Sequence, residues 1–187
     1  MPVSPDSISA LEAARRNMNA AIRMLFSGED PLVIHLVVAA VFRVLHDLAE
    51  KSGEVPLHHG IESFLLPGAE SVFSRALNEA ANVMKDAARD PSAVLQEFKE
   101  ERNDFEIAIS CVYLECLDNK PSPEAQAFLW WFATMYPHVM RSELFFKASL
   151  AKEDFGWLRE ASRAKQLQVG HTVLKLVQRN ILTAGHD

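Results

Sequence analysis

The chain contains few of the residues that define several common protein classes. Only two of its 187 residues are cysteine and only seven are glycine. The two cysteines, Cys111 and Cys116, have neither the number for a disulfide framework nor the spacing of a C-x-x-C redox or zinc motif. Scarce glycine disfavours turn-rich β architectures, and the sequence has no P-loop, dinucleotide fingerprint or G-x-S-x-G motif. We therefore expect reduced thiols, which fit a cytoplasmic location.

The net charge and the lengths of the apolar runs indicate which classes of partner to expect. Twenty-five acidic residues against nineteen basic ones give a net charge of -6, which argues against nucleic acid as a general partner. The amino-terminal residues contain no apolar run of the secretory type. The longest purely apolar run near the front, residues 36–42, is far shorter than the roughly 20 residues that a membrane span needs. We expect no membrane association, and a length that suits one domain, residues 1–187.

Apolar periodicity and capping signals predict helices throughout the chain. Asp30-Pro31 and Ser122-Pro123 each place a capping side chain before a proline in the first helical position. The second helix is apolar on nearly all sides, so we expect it at the centre of the core. The prediction is an all-α helical bundle with a long C-terminal helix. The predicted helices span residues 4–27, 31–52, 68–88, 100–117, 123–135 and 152–182, the last interrupted near Gly170.

Charge is distributed unevenly along the chain. Residues 90–124 carry nine acids and three bases, whereas residues 155–186 carry five bases and one acid. One interpretation is two solvated faces that partly compensate each other. The other is association between chains through complementary charge, or a basic helix that faces phosphate. The basic residues of that helix would be Arg159, Arg163, Lys175 and Arg179.

The histidines do not form a metal-binding pattern. His35 and His46 lie eleven residues apart, on one helix face, about 16 Å from each other, which is too far for one metal ion. They are either hydrogen-bonded histidines in or near the core or ligand-binding residues. The adjacent pair His58-His59 has no H-E-x-x-H or E-x-x-H partner. We expect neither a metal nor a cofactor.

The segment 128–132, FLWWF, is the most aromatic part of the chain. Consecutive aromatic residues on a helix point in all directions, so at least one of Trp130 and Trp131 is expected to face outward or into a partner. Aromatic residues are enriched in protein–protein interfaces. This segment therefore favours a homodimer.

Two segments carry a family resemblance. Residues 22–53 and 81–91 resemble a widespread family of bacterial helical proteins of unknown activity, whose patterns read FF-x-G-x-D-P-x-x-I-H-x-L-x-x-A-A and R-N-F-F-K-H-A-D-R-D-P. The resemblance extends over about residues 20–140. The matching residues are Asp30, Pro31, Ile34, His35, Ala39 and Ala40 in the first pattern, and Asn82, Lys85, Ala87, Arg89, Asp90 and Pro91 in the second.

The second pattern is also similar to the R-N-x-x-x-H signature of the HEPN superfamily. That resemblance implies a small helical domain, commonly dimeric, which cleaves RNA without metal at a dimer cleft through an arginine and a histidine. Here Ala81 stands at the arginine position and Asp86 at the histidine position. Alanine cannot bind phosphate, and aspartate repels it, so catalysis is not expected.

The sequence therefore predicts a non-catalytic, HEPN-like helical protein that binds a ligand or a partner protein and forms a homodimer. The alternative is a divergent metal-independent RNase or nucleotide-binding protein of the toxin or defence type. No catalytic residue is assigned. The candidate ligand-binding residues are His35, His46, Asn82, Lys85, Asp86 and Arg89.

Overall fold

The structure is a computed structural model that describes residues 8–52, 64–68, 99–118, 120–140 and 156–184. Within these ranges it contains six helices and no β-strand. An isolated bridge joins Leu65 to Met140, where the Leu66 amide donates to the Val139 carbonyl at 3.0 Å. The predicted helix at 68–88 lies outside the described residues.

The first helix, α1, spans Ala10–Ser27. Its N-cap is Ser9, whose hydroxyl accepts a hydrogen bond from the Glu12 amide at 3.1 Å. The helix therefore begins six residues after the predicted start at residue 4, because its cap is Ser9. Gly28 ends α1 in the left-handed conformation, with φ of 71°, and donates its amide to the Leu25 carbonyl.

The second helix, α2, spans Pro31–Ser52, as predicted. Asp30 caps it by accepting a hydrogen bond from the Leu32 amide at 2.8 Å. The prediction that α2 is the central helix was wrong, because one face remains open to solvent. Four large apolar side chains on α2 are exposed: Leu32, Val33, Leu36 and Val44.

In length and composition, α2 also meets the requirements of a membrane span. The segment Pro31–Lys51 has a mean hydropathy of 1.9, and 33% of it is buried inside the protein. It is the one such helix among the described residues, and core helices meet the same requirements. In this structure α2 packs against α1 and against α3, which spans Glu101–Asp118.

The centre of the core is formed by α3 and by α4, which spans Pro123–Met135. Ser122 caps α4 and accepts a hydrogen bond from the Ala125 amide at 3.1 Å. The prediction that one tryptophan faces outward was wrong, since Trp130 is 3% exposed and Trp131 is 0% exposed. Helix α4 contacts α1, α3 and both C-terminal helices, so its aromatic side chains meet protein in several directions, while Gln126 on the same helix is exposed.

The C-terminal region contains α5, Gly156–Glu160, and α6, Arg163–Ala184. The helical region is interrupted at residues 161–162 and not at Gly170. Gly170 lies inside α6 at a close approach to α1, where a Cβ atom would stand 2.2 Å from Cε1 of Phe26. The glycine lets α6 pack closely against Phe26 of α1 and does not interrupt the helix. The architecture is an all-α helical bundle with a long C-terminal helix, as predicted.

Candidate functional site

The six predicted ligand-binding residues divide into two groups. His35 and His46 lie on α2 and are described. The other four, Asn82, Lys85, Asp86 and Arg89, lie outside the described residues, so their convergence with His35 stays a prediction. His58 and His59 lie there as well.

His35 is buried against α3. It is 4% exposed, and its Nδ1 lies 3.2 Å from Oε2 of Glu106, which is equally buried. The interaction with Glu106 raises the pKa of His35, although burial opposes the charged form. Asn103 contributes in the same direction, and the positive charge of Arg102 works against it. His35 is therefore an interior residue that connects α2 to α3 through a buried pair.

His46 lies on the same helix but near the surface. Its Nε2 is 3.9 Å from Oε1 of Glu50, and its side chain is 41% exposed. His46, Asp47 and Glu50 bring three possible ligand atoms within 4.8 Å of one another. Among the described residues no other group of this kind occurs. Because Asp47 and Glu50 are exposed side chains on one helix, no packing fixes the arrangement.

A network of charged side chains that the sequence analysis missed joins three helices. Asp104 on α3 is fully buried and accepts hydrogen bonds from Arg163 Nη1 at 2.9 Å and Nη2 at 2.7 Å. It also accepts a hydrogen bond from the Tyr136 hydroxyl at 2.8 Å. Burial raises the pKa of Asp104 to about 6, although Arg163 and Tyr136 stabilise the carboxylate. The guanidinium also lies 5.3 Å from the centre of the Trp131 ring.

This network bears on the uneven charge along the chain. Arg163, one of the four basic residues proposed to face phosphate, is committed to Asp104 within the same chain. A second contact across the bundle joins Arg23 of α1 to Glu124 of α4, with 2.6 Å between Nη1 and Oε1. The pair of Arg163 and Asp104 therefore joins one base of residues 155–186 to one acid of residues 90–124, in a buried contact and not across two solvated faces.

A cavity of about 350 Å³ lies beside these buried groups. The end of α1 and the first turns of α2, α3 and α6 enclose it. Its volume falls in the range of small-molecule sites. Its walls consist of apolar side chains, with two glutamates, one asparagine and one arginine among them. The lining residues are Leu25, Gly28, Glu29, Pro31, Ile34, Glu100, Asn103, Arg163, Ala164 and Leu167.

The acidic groups among the described lining residues are the carboxyl groups of Glu29 and Glu100. Among the described residues around the cavity there is no serine, cysteine or histidine that would act as a nucleophile or proton carrier. Elsewhere in the core, burial strongly raises the pKa of the Cys111 thiol, which keeps it protonated and unreactive. Comparisons with protein-family models, with curated proteins and with solved structures found no match to this chain. The geometry of the cavity is therefore the basis for any function assigned to it.

Nothing local in the sequence identified the cavity. Gly28 indicates only the end of a helix, and Asn103 and Arg163 lie 60 positions apart. The only available signal was the acidic excess before residue 124 opposite the basic excess after residue 155. That signal indicates attraction between two regions but not a site between them.

Proposed function

We propose that this chain is a non-catalytic helical binding protein of the HEPN-like type, which acts in the bacterial cytoplasm as a homodimer and takes a small ligand in the cavity. One observation supports this proposal above the others. The buried ionisable groups beside the cavity pair with each other, as His35 does with Glu106 and Arg163 with Asp104. Groups held in this way connect helices of the fold, and they would have to give up or share their present partners to take part in acid–base chemistry on a substrate.

The test of the non-catalytic role is incubation of the purified protein with labelled RNA, with and without a chelator. We expect no cleavage above background, since Ala81 and Asp86 replace the two groups that the HEPN chemistry requires. One missing acid–base or electrostatic group alone lowers a rate by about 10²–10⁴. Cleavage that disappears in Asn82→Ala and persists in Lys120→Ala would establish the alternative, a divergent RNase.

The exposed face of α2 supports the homodimer. Leu36, Ala40 and Val44 follow each other at intervals of four residues, so they form one ridge along the helix. If two copies of α2 cross in antiparallel fashion at the small Ala40, Leu36 of one copy meets Val44 of the other. The same patch then serves both copies, as a two-fold interface requires.

Light scattering tests this arrangement. We expect a mass near twice the 20.9 kDa of the chain at micromolar concentration. Leu36 is 58% exposed, so Leu36→Glu does not disturb the core and places a charge in the interface. Losing the burial of one leucine per copy, about 1.5–3 kcal/mol each, weakens the dimer by at least about 100-fold.

The matched control is Leu176→Glu, which changes a leucine of α6 that is 46% exposed. The dimer is expected to persist in this variant, and in high salt, because salt screens exposed charges and not apolar contacts. A wild-type mass near that of one chain, or equal dissociation in both variants, would contradict the proposed interface.

A further inference from the structure

The groups around the cavity differ in how far their hydrogen-bonding capacity is already used. The Nη atoms of Arg163 both donate to Asp104, so the one cation among the described lining residues is engaged from within the protein. Glu100 forms a longer ion pair with the same arginine, with 3.7 Å between its Oε2 and Nε, but accepts no hydrogen bond from it. For Glu29, no cation lies within ion-pair distance in the described part of the chain. Among the described side chains of the lining, acceptors are therefore in excess of free donors.

Asn103 adds a buried acceptor to the same cavity. It is 0% exposed, and its Nδ2 donates to the Pro31 carbonyl at 2.9 Å, which fixes the orientation of the amide. Its Oδ1 accepts no hydrogen bond of regular geometry within the described residues, although the Asn103 side chain also interacts with His35. A buried carbonyl oxygen without a donor is unfavourable, so a ligand that supplies donors gains affinity here.

The charges near the cavity also favour a ligand that carries hydrogen-bond donors and a positive charge. Glu29, Glu100 and Asp104 contribute three carboxylates against the single guanidinium of Arg163. Three helices also begin here, and their amino-terminal dipoles favour anions by roughly half a charge each. Two of these helix ends have acidic partners of their own, Asp30 for α2 and Glu101 for α3, whereas the first turn of α6 contains no acidic residue. Among the groups named here, the carboxylates still outnumber the positive charges, so we expect a negative field at the cavity.

From these observations we infer that the cavity binds a small organic cation with an aliphatic body, such as a primary alkylammonium ion. The ammonium group meets the exposed carboxylate of Glu29 and the half-buried carboxylate of Glu100, and the alkyl chain lies among Leu25, Ile34 and Leu167. An ammonium ion carries only donors, which matches a lining whose available groups are acceptors. This inference rests on the proposed function, because it names the ligand class of the same cavity.

The experiment is titration of the full chain with three probes of one size: hexylammonium, hexanol and hexanoate. Binding is measured by isothermal titration calorimetry at low ionic strength. We expect hexylammonium to bind at least about tenfold more tightly than hexanol, because hydrogen bonds to charged groups exceed neutral ones. Hexanoate is expected to bind most weakly, since the carboxylates repel it.

Two pairs of variants locate the binding. Glu100→Gln removes a charge from the lining and is expected to weaken hexylammonium binding about tenfold without changing hexanol binding. Glu101→Gln removes the same charge from the next, exposed residue and is expected to have a much smaller effect. Ala164→Trp fills the cavity and abolishes binding of every probe, whereas Gln168→Trp, exposed on the same helix, leaves binding intact.

Three results would overturn the inference. Equal affinity for hexylammonium and hexanol shows that only apolar contact is recognised. Tighter binding of hexanoate shows that the helix ends and Arg163 dominate over the carboxylates. If no probe binds while melting curves show that the protein is folded, small organic cations are excluded as ligands of this cavity. The first two results leave the proposed binding function in place, and the RNA and light-scattering tests decide that function independently of all three.

Discussion

Replacing Arg163 with methionine tests whether the buried charge network holds the bundle together. Asp104 is fully buried, and two of the three hydrogen bonds to its carboxylate come from Arg163. Methionine keeps much of the aliphatic stem beside Trp131 but removes the charge and both donors. The Tyr136 hydroxyl then remains as the one hydrogen-bond donor to the carboxylate among the described residues.

The expected loss of stability is large because the charge of Asp104 stays buried in the core. Removing one member of a buried ion pair lowers the free energy of unfolding by about 3–5 kcal/mol. A domain of this kind has about 5–15 kcal/mol in total. Burial already raises the pKa of Asp104 to about 6 in the presence of Arg163, and losing the guanidinium raises it further. A carboxyl group with a raised pKa stabilises the folded state when protonated, and this contribution is lost as the pH rises through that pKa. The Arg163→Met variant is therefore expected to be least stable at high pH and to regain stability in mild acid.

Urea unfolding of wild type and variant at about pH 7.5 and about pH 5 measures both effects. The control is Arg159→Met, which changes an exposed arginine nearby and is expected to shift the unfolding free energy by less than about 0.5 kcal/mol. A loss below about 1 kcal/mol in Arg163→Met, or an equal loss at both pH values, would refute the reasoning.

Three further variants test other parts of the fold. Pairing with Glu106 raises the pKa of His35, so the stabilisation from this pair is complete below about pH 6.5 and is lost as the pH rises through the raised pKa. In urea titrations, the unfolding free energy of Glu106→Gln should therefore depend less on pH in this range than that of wild type. Gly170→Ala should destabilise by about 1–3 kcal/mol through collision with Phe26, although alanine favours helix, and Phe26→Leu should relieve much of this loss in thermal melts. Ser122→Ala should remove about 1 kcal/mol in the same melts, because it deletes the cap of α4.

Each of these variants has an outcome that contradicts its reasoning. An unchanged pH profile in Glu106→Gln means that His35 is not stabilised by the pair. A Gly170→Ala variant with a melting temperature at or above that of wild type means that α1 and α6 separate easily. A neutral Ser122→Ala variant means that packing alone sets the start of α4.

Local signals predicted the helices well because caps act over a few residues. Asp30-Pro31 and Ser122-Pro123 mark the observed starts of α2 and α4, since the capping atom and the amide it accepts from are neighbours in sequence. Gly170 was misread for a related reason. Glycine ends a helix when a left-handed residue is needed, as at Gly28, but it also permits close packing, and only the neighbouring Phe26 distinguishes the two.

Contacts between distant parts of the chain were not predictable in this way. Asp104 and Arg163 are 59 positions apart, and neither stands in a motif. The burial of Trp130 and Trp131 depends on how many helices surround α4, which helical periodicity within α4 does not reveal. The candidate cavity has the same origin, because its lining comes from four helices whose relative placement only the tertiary structure defines.

The position of Phe26 has a consequence for the synthesis of the chain. Its ring packs against Phe128 and Trp131 of α4 and against Gly170 of α6, all of which are translated more than a hundred residues later. At roughly 5–20 residues per second, a ribosome needs on the order of ten seconds to reach them. During that time the finished helix α1 presents an aromatic side chain that lacks these partners. Nascent chains halted before residue 128 should therefore bind chaperones and aggregate, whereas chains released after α6 should not.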